Sequence, residues 1–213
     1  MTKIYLIRHA ESIANAQGIY QGQSYDSPLS PLGEQQAELL GKRLRRVTLN
    51  AIYASPLKRT AKTAEIVQRL QKSTVELMRV DQLKEISHGE WEGKTKEIIR
   101  ERWPVLYGQW QQQPHRVTFP GGESLADVER RILGWFNELI RIDKTVAVVT
   151  HGGVIQTLLM HIHGYPLEKF WTFPHPSSAS VTLIESHSPA KVSVHNDTSH
   201  LINLASDLEK QAL

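Results

Sequence analysis

The 213-residue chain contains no cysteine. This excludes disulfides, zinc–thiolate sites and a cysteine nucleophile, and it accords with a reducing compartment. Long hydrophobic runs are missing too, and the apolar stretches are too short to cross a bilayer. Neither sign of charge dominates: 25 Lys plus Arg stand against 22 Asp plus Glu, for a net charge of +3. Charge alone therefore offers no footprint for nucleic acid. The first strand-like run begins at residue 3. The expectation is a cytoplasmic protein with no leader segment and with neither a nucleic acid nor a membrane as partner.

What is present suits a soluble globular fold, with 40% hydrophobic and 22% charged residues. The length allows one large domain, expected over 1–213 with an inserted lobe at about 86–122. Residues 3–7 and "TVAVVT" (145–150) are β-branched runs of the kind found at the centre of a parallel sheet, and "AIYAS" (51–55) is a weaker third. Helices are expected after each. One opens at Ser30-Pro31, with Ala37, Leu40 and Leu44 as its stripe, and its basic end "KRLRR" suits the helix dipole. A second carries Thr60, Ala64, Val67 and Leu70; a third opens at Ser124 with a capping-box pattern to Asp127; a fourth follows His151. "SASVTLIES" and "KVSVHN" read as antiparallel strands joined around Ser188-Pro189, and "LINLASDLEKQAL" as a terminal helix. Residues 86–122, rich in Trp, Gln, Gly and Pro, read as irregular. The fold class is α/β: a three-layer α/β/α sandwich with a mainly parallel sheet.

Ligands of open α/β sheets bind beyond the carboxyl ends of the strands. Three such ends carry Arg8-His9, Ser55 with Arg59, and His151-Gly152-Gly153. Singly, each has a plainer reading: a structural histidine, a surface arginine, a tight turn. Their equivalent topological places select the chemical one. Two imidazoles and two guanidiniums, with no acidic neutraliser near in sequence, make a pocket for a phosphate or carboxylate. Backbone N–H groups at Gly152 and Gly153 add to the cradle.

"LIRHAES", "SPLKRTAKTAE", "LKEISHGEWEG", "GGES" and "VVTHGG" occur in order between residue 3 and about 160. They resemble the motifs of the histidine phosphatase superfamily, which includes the cofactor-dependent phosphoglycerate mutases; Ala10 stands where that family usually has glycine. The resemblance implies the phosphoglycerate mutase-like fold, a phosphohistidine intermediate on His9, and phosphoryl stabilisation by Arg8, Arg59 and His151 with no metal and no cofactor. The two arginines should keep the His9 ring neutral. It further implies Glu85 as proton donor to the leaving alkoxide and then as base for water, with Glu90 and Glu92 as rivals. Asn15 matches a phosphate contact, and Gln21 and Gly22 match positions on the substrate side.

The stretch "EISHGEWEGKT" resembles the phosphatase branch rather than the longer mutases. His88 stands where that branch often has an aromatic residue. A histidine there offers a donor to a substrate carboxylate, and together with "QQPHRVTFPGGES" and "KFWTFPHPSSASV" it favours L-phosphoserine as substrate. The alternatives are a broad phosphomonoesterase in which His88 packs on Trp91, a sugar-bisphosphate or α-ribazole phosphate phosphatase, a mutase, and a phospholigand binder without turnover. All five catalytic candidates being present argues against the last. His187, His195 and His200 read as surface residues. Phe170, Trp171 and Phe173 near the last strands favour a homodimer.

Overall fold

Val146 to Val149 are all buried. Four successive apolar positions without an exposed partner require a strand covered on both faces. A computed structural model describes residues 1–186, 190–207 and 211. Its first half holds β1 (Lys3–Arg8), α1 (Ile13–Ala16), α2 (Pro31–Leu44), β2 (Ala51–Ala54), α3 (Lys58–Arg69) and β3 (Glu76–Arg79). Then come α4 (Lys96–Arg102), α5 (Pro104–Gln112), α6 (Leu125–Leu139), β4 (Thr145–Thr150), α7 (Gly152–His163), β5 (Val181–Glu185) and β6 (Lys191–Asp197).

The strand order is β3-β2-β4-β1-β5-β6. β1 to β4 run parallel, and β5 is antiparallel to both β1 and β6. Alternation by two divides the central strands between two cores. Ile4, Leu6, Val146 and Val148 face Ile132 and Phe136 of α6 and Leu158 of α7. Ile7, Ala147 and Val149 face Leu40 and Leu44 of α2 and Ala64 and Val67 of α3. The expected three-layer sandwich with a mainly parallel sheet is thus observed. No helix among the described residues is long and apolar enough to cross a membrane.

The helix starts follow their caps. Ser30 Oγ accepts from the Gly33 N–H at 2.9 Å with Pro31 at the first helical position, and Ser124 and Asp127 form the reciprocal capping box. Each such cap contributes about 1 kcal/mol.

Four readings change. β3 is an edge strand with no buried residue, so it lacks the apolar run that betrays a central strand. Residues 86–122 are not irregular throughout, for they contain α4 and α5. These helices bury only Ile99 and Trp110 respectively, too little for a periodic stripe. The segment packs through Trp91, Trp103, Tyr107 and Phe119 onto the core beneath α6 and α7. The terminal helix is not formed over 201–207, which are turn and irregular chain. Residues 208–210, 212–213 and the expected turn at Ser188-Pro189, with His187, lie outside the described residues. Finally, His200 is not a plain surface group: its Nδ1 lies 3.0 Å from Arg43 Nη1, and burial and Arg43 push it down to about 4. His195 likewise lies against the Phe173 ring.

Candidate active site

Register sets the site. Arg8 pairs with Thr150, so β1 and β4 end level and release His9 and His151 side by side, with ring centroids 5.1 Å apart. The backbone of His9 is held on both flanks, its N–H donating to Thr150 O and its carbonyl accepting from Ala179 N–H. His9 Nδ1 lies 2.7 Å from Ala10 O. A carbonyl accepts only from an N–H, so the neutral ring carries its proton on Nδ1 and a bare lone pair on Nε2. Burial, then Arg59 and Arg8, hold this imidazole well below its ordinary pKa, outweighing the hydrogen bond to Ala10. The ring is held neutral between two cations.

Those cations are anchored differently. Arg59, at the start of α3, donates to Gly22 O at 3.0 Å and to Asp26 Oδ1 at 3.2 Å. Asp26 also accepts from the Lys58 N–H, so it caps α3 from a distant loop. The fold therefore supplies the acidic partner that sequence proximity did not show. Among the described residues Arg8 donates to neutral acceptors, Pro176 O at 2.6 Å and Gln211 Oε1 at 2.8 Å. Burial lowers Arg8 to about 10 and lowers Arg59 as well, while Glu85 opposes both shifts. His151 Nε2 lies 2.9 Å from Ser55 Oγ, which also accepts from the Leu57 N–H. Arg8 Nε, Arg59 Nε and His151 Nδ1 are buried without a hydrogen-bond partner among the described residues. Unmatched buried donors beside a bare imidazole nitrogen require an acceptor, and an oxyanion supplies one.

Arg8, His9 and Arg59 line a cleft whose walls also include Asn15, Gln21, Glu85 and His88. Asn15 uses its carbonyl oxygen to cap α1, leaving its NH₂ for the cleft. Gln21 is held at both ends, by Ser12 and Ser27. Gly22 does not line the cleft; it aims Arg59, and a Cβ there would stand 2.0 Å from Glu92 Oε1. Gly152 is likewise covered, by the His175 ring, and Gly153 takes its place in the wall.

The three acids separate clearly. Glu90 is exposed. Glu92 accepts the backbone N–H groups of Gln23, Ser24, Tyr25 and His88. Burial pushes its carboxyl up, but the hydrogen bonds from residues 23–25 win and hold it low, so it is a fixed anion that fastens the 22–25 loop. Glu85 alone of the three lines the cleft, one oxygen on the Ile86 N–H at 2.9 Å and the other 3.4 Å from the Gly153 N–H.

His88 Nδ1 lies 2.5 Å from Gln21 O, so its donor is already engaged and the neutral ring offers Nε2 as an acceptor. Its ring neighbours are Tyr20, Phe119 and Trp110, not Trp91. Phe170 and Trp171 form cleft wall with Trp110.

A sequence model of the histidine phosphatase superfamily (branch 1) matches residues 4–198. The chain belongs to the histidine phosphatase superfamily. It is 41% identical over 175 residues to phosphoserine phosphatase 1 of Hydrogenobacter thermophilus, covering 81% of this chain and 82% of that protein. The solved structure of Bacillus stearothermophilus YhfR superposes with a TM-score of 0.89 at 38% identity, covering 94% of this chain and all of the other. A mutant phosphoserine phosphatase from Entamoeba histolytica, solved in complex with phosphoserine, gives 0.81 at 27% identity over 94% of this chain and all of that one. As a histidine phosphatase the chain is an enzyme with a histidine nucleophile acting on phosphate esters.

Ile86, Trp110, Gln156 and His175 of this histidine phosphatase line the cleft without having been read from the sequence, and His175 is the titratable one. His175, between two prolines before β5, lines the cleft beside Arg8 and donates through Nδ1 to Gln156 Oε1 at 2.8 Å. The Gln156 NH₂ is fixed by Phe170 O, which settles that assignment. The signal was "PHP" directly ahead of the strand that pairs with β1.

His9, His88, His151 and His175 are all lowered, in each case chiefly by burial. Below about pH 6.5 the unfolded chain binds protons there that the folded chain refuses, so stability is full above that pH and is lost as pH falls. Thermal melts from pH 8 to 5 should show a plateau and then a decline, approaching about 1.4 kcal/mol per pH unit for each histidine fully protonated only when unfolded. A flat melting temperature down to pH 5 would contradict neutral burial.

Proposed function

We propose that the protein is a metal-independent phosphomonoesterase that works through a phosphohistidine on His9, with L-phosphoserine as the favoured substrate. The observation that carries this is the bare Nε2 of His9 set among buried donors without partners. In the first step His9 Nε2 forms the N–P bond as the ester P–O bond breaks. Arg8, Arg59 and His151 take the phosphoryl oxygens, and Glu85 gives its proton to the departing alkoxide. In the second, Glu85 as carboxylate removes a proton from water, which attacks phosphorus and restores neutral His9.

The substrate assignment is supported by the names of the relatives and by a cleft whose walls combine the phosphoryl-site residues with His88, Ile86, Trp110 and Phe170. His88 bears on it in one of two ways. As a neutral ring it accepts from the substrate ammonium; to donate to the carboxylate it must first take a proton at Nε2.

The test is a panel of L-phosphoserine, phosphothreonine, 3-phosphoglycerate, fructose 2,6-bisphosphate, α-ribazole phosphate and p-nitrophenyl phosphate, with EDTA present. Phosphate and 2-phosphoglycerate are both measured. A marked preference in kcat/KM for L-phosphoserine, unaffected by EDTA, is expected. Comparable rates on several esters would remove the phosphoserine assignment but keep the chemistry, whereas isomerisation without phosphate release would replace hydrolysis with mutase action.

A further inference from the structure

Gln211 lies more than two hundred residues from Arg8 in sequence, yet its side chain is seated against that guanidinium. It is 1% exposed. Its Oε1 accepts from Arg8 Nη2 at 2.8 Å and its Nε2 lies 3.3 Å from Ser178 Oγ, so both ends of the carboxamide have assigned partners. The receiving loop is itself tied to the nucleophile strand. Pro176 O takes Arg8 Nη1, Ser180 O takes the Arg8 N–H, and the Ala179 N–H donates to His9 O. Arg8 is thereby gripped by two oxygens, while its Nε has no partner among the described residues.

The chemistry of those oxygens matters. A carboxylate would hold the guanidinium equally well but would cancel its charge, as Asp26 partly does for Arg59. Pro176 O and Gln211 Oε1 hold it without cancelling it. A buried hydrogen bond to a charged group is among the stronger ones, and its loss frees a long side chain to sample other rotamers.

We infer that Gln211 is a positioning residue that aims Arg8 at the phosphoryl group while leaving its charge available to the substrate. This rests on the reading of the cleft as a phosphoryl site but on no particular leaving group.

The test uses the full chain with two substitutions, Gln211→Glu and Gln211→Met. Orthovanadate dissociation constants and p-nitrophenyl phosphate kinetics are measured well below each variant's melting temperature. Gln211→Glu keeps an acceptor for Arg8, so a purely structural role predicts an unchanged site. The expected result is instead about tenfold or greater weakening of orthovanadate binding, with KM raised alongside. Gln211→Met keeps the bulk and loses the acceptor, and should lower kcat/KM by about tenfold. Orthovanadate binding within about twofold of the unmodified chain in Gln211→Glu would overturn the inference. Failure of the unmodified chain to bind orthovanadate or hydrolyse p-nitrophenyl phosphate would overturn the phosphoryl reading itself, which is a separate failure.

Discussion

Substituting His9 by alanine is expected to abolish turnover of phosphate esters, with a loss on the order of ten-thousand-fold. The size follows from the site's composition. There is no cysteine to take over, and the neighbouring ring of His151 has its Nε2 engaged by Ser55. Arg8, Arg59 and Asn15 remain in place, so the alanine variant should still bind orthovanadate and L-phosphoserine. A retained dissociation constant with vanished kcat is thus the diagnostic pair. The complementary measurement is an acid-labile, alkali-stable phosphoenzyme trapped from the unmodified chain and absent from the variant. Substantial turnover by His9→Ala would require another nucleophile and would end the phosphohistidine reading.

The second large effect is expected from Glu85→Gln, and its sign of success is selectivity between leaving groups. With L-phosphoserine the departing alkoxide needs a proton, and kcat should fall by about a hundred- to a thousandfold. With p-nitrophenyl phosphate the leaving group departs without one, so phosphorylation of His9 should survive while its hydrolysis slows. Rapid mixing should then show a burst of p-nitrophenol followed by a slow steady state. Equal losses on both substrates, with no burst, would mean that Glu85 only holds the loop. Glu92→Gln provides the contrast. Glu92 anchors the backbone of residues 23–25, so its loss should disturb the cleft for every substrate alike.

The central strands and the capped helices were legible because burial on two faces writes an apolar run, and because a cap is a short-range pattern of one or two side chains. Arg8, His9, Arg59 and His151 were legible for a related reason: a strand end is a place that a sequence marks. Asp26, Gln211 and His175 were not, since each acts from a loop or tail whose position is decided by packing far along the chain. The same distinction explains α4 and α5, which lean on a cluster of aromatic rings rather than on a stripe of their own. His88 shows a further limit. Its presence could be read, but which ring nitrogen is engaged depends on where the Gln21 carbonyl falls in space.

The strand that carries the proposed nucleophile is made long before either of its sheet neighbours. β1 lies between β4 and β5, whose residues begin at 145 and 181. During synthesis the N-terminal strand must wait for more than two thirds of the chain before either neighbour exists, a long-range closure of the kind that slows folding. β2 and β3, by contrast, can pair early with α3 between them. A growing or truncated chain that stops before β4 can assemble that outer pair, but has nothing on which to seat Arg8 and His9. Competence therefore arrives late, and partly made chains carry the reactive residues without the geometry to use them.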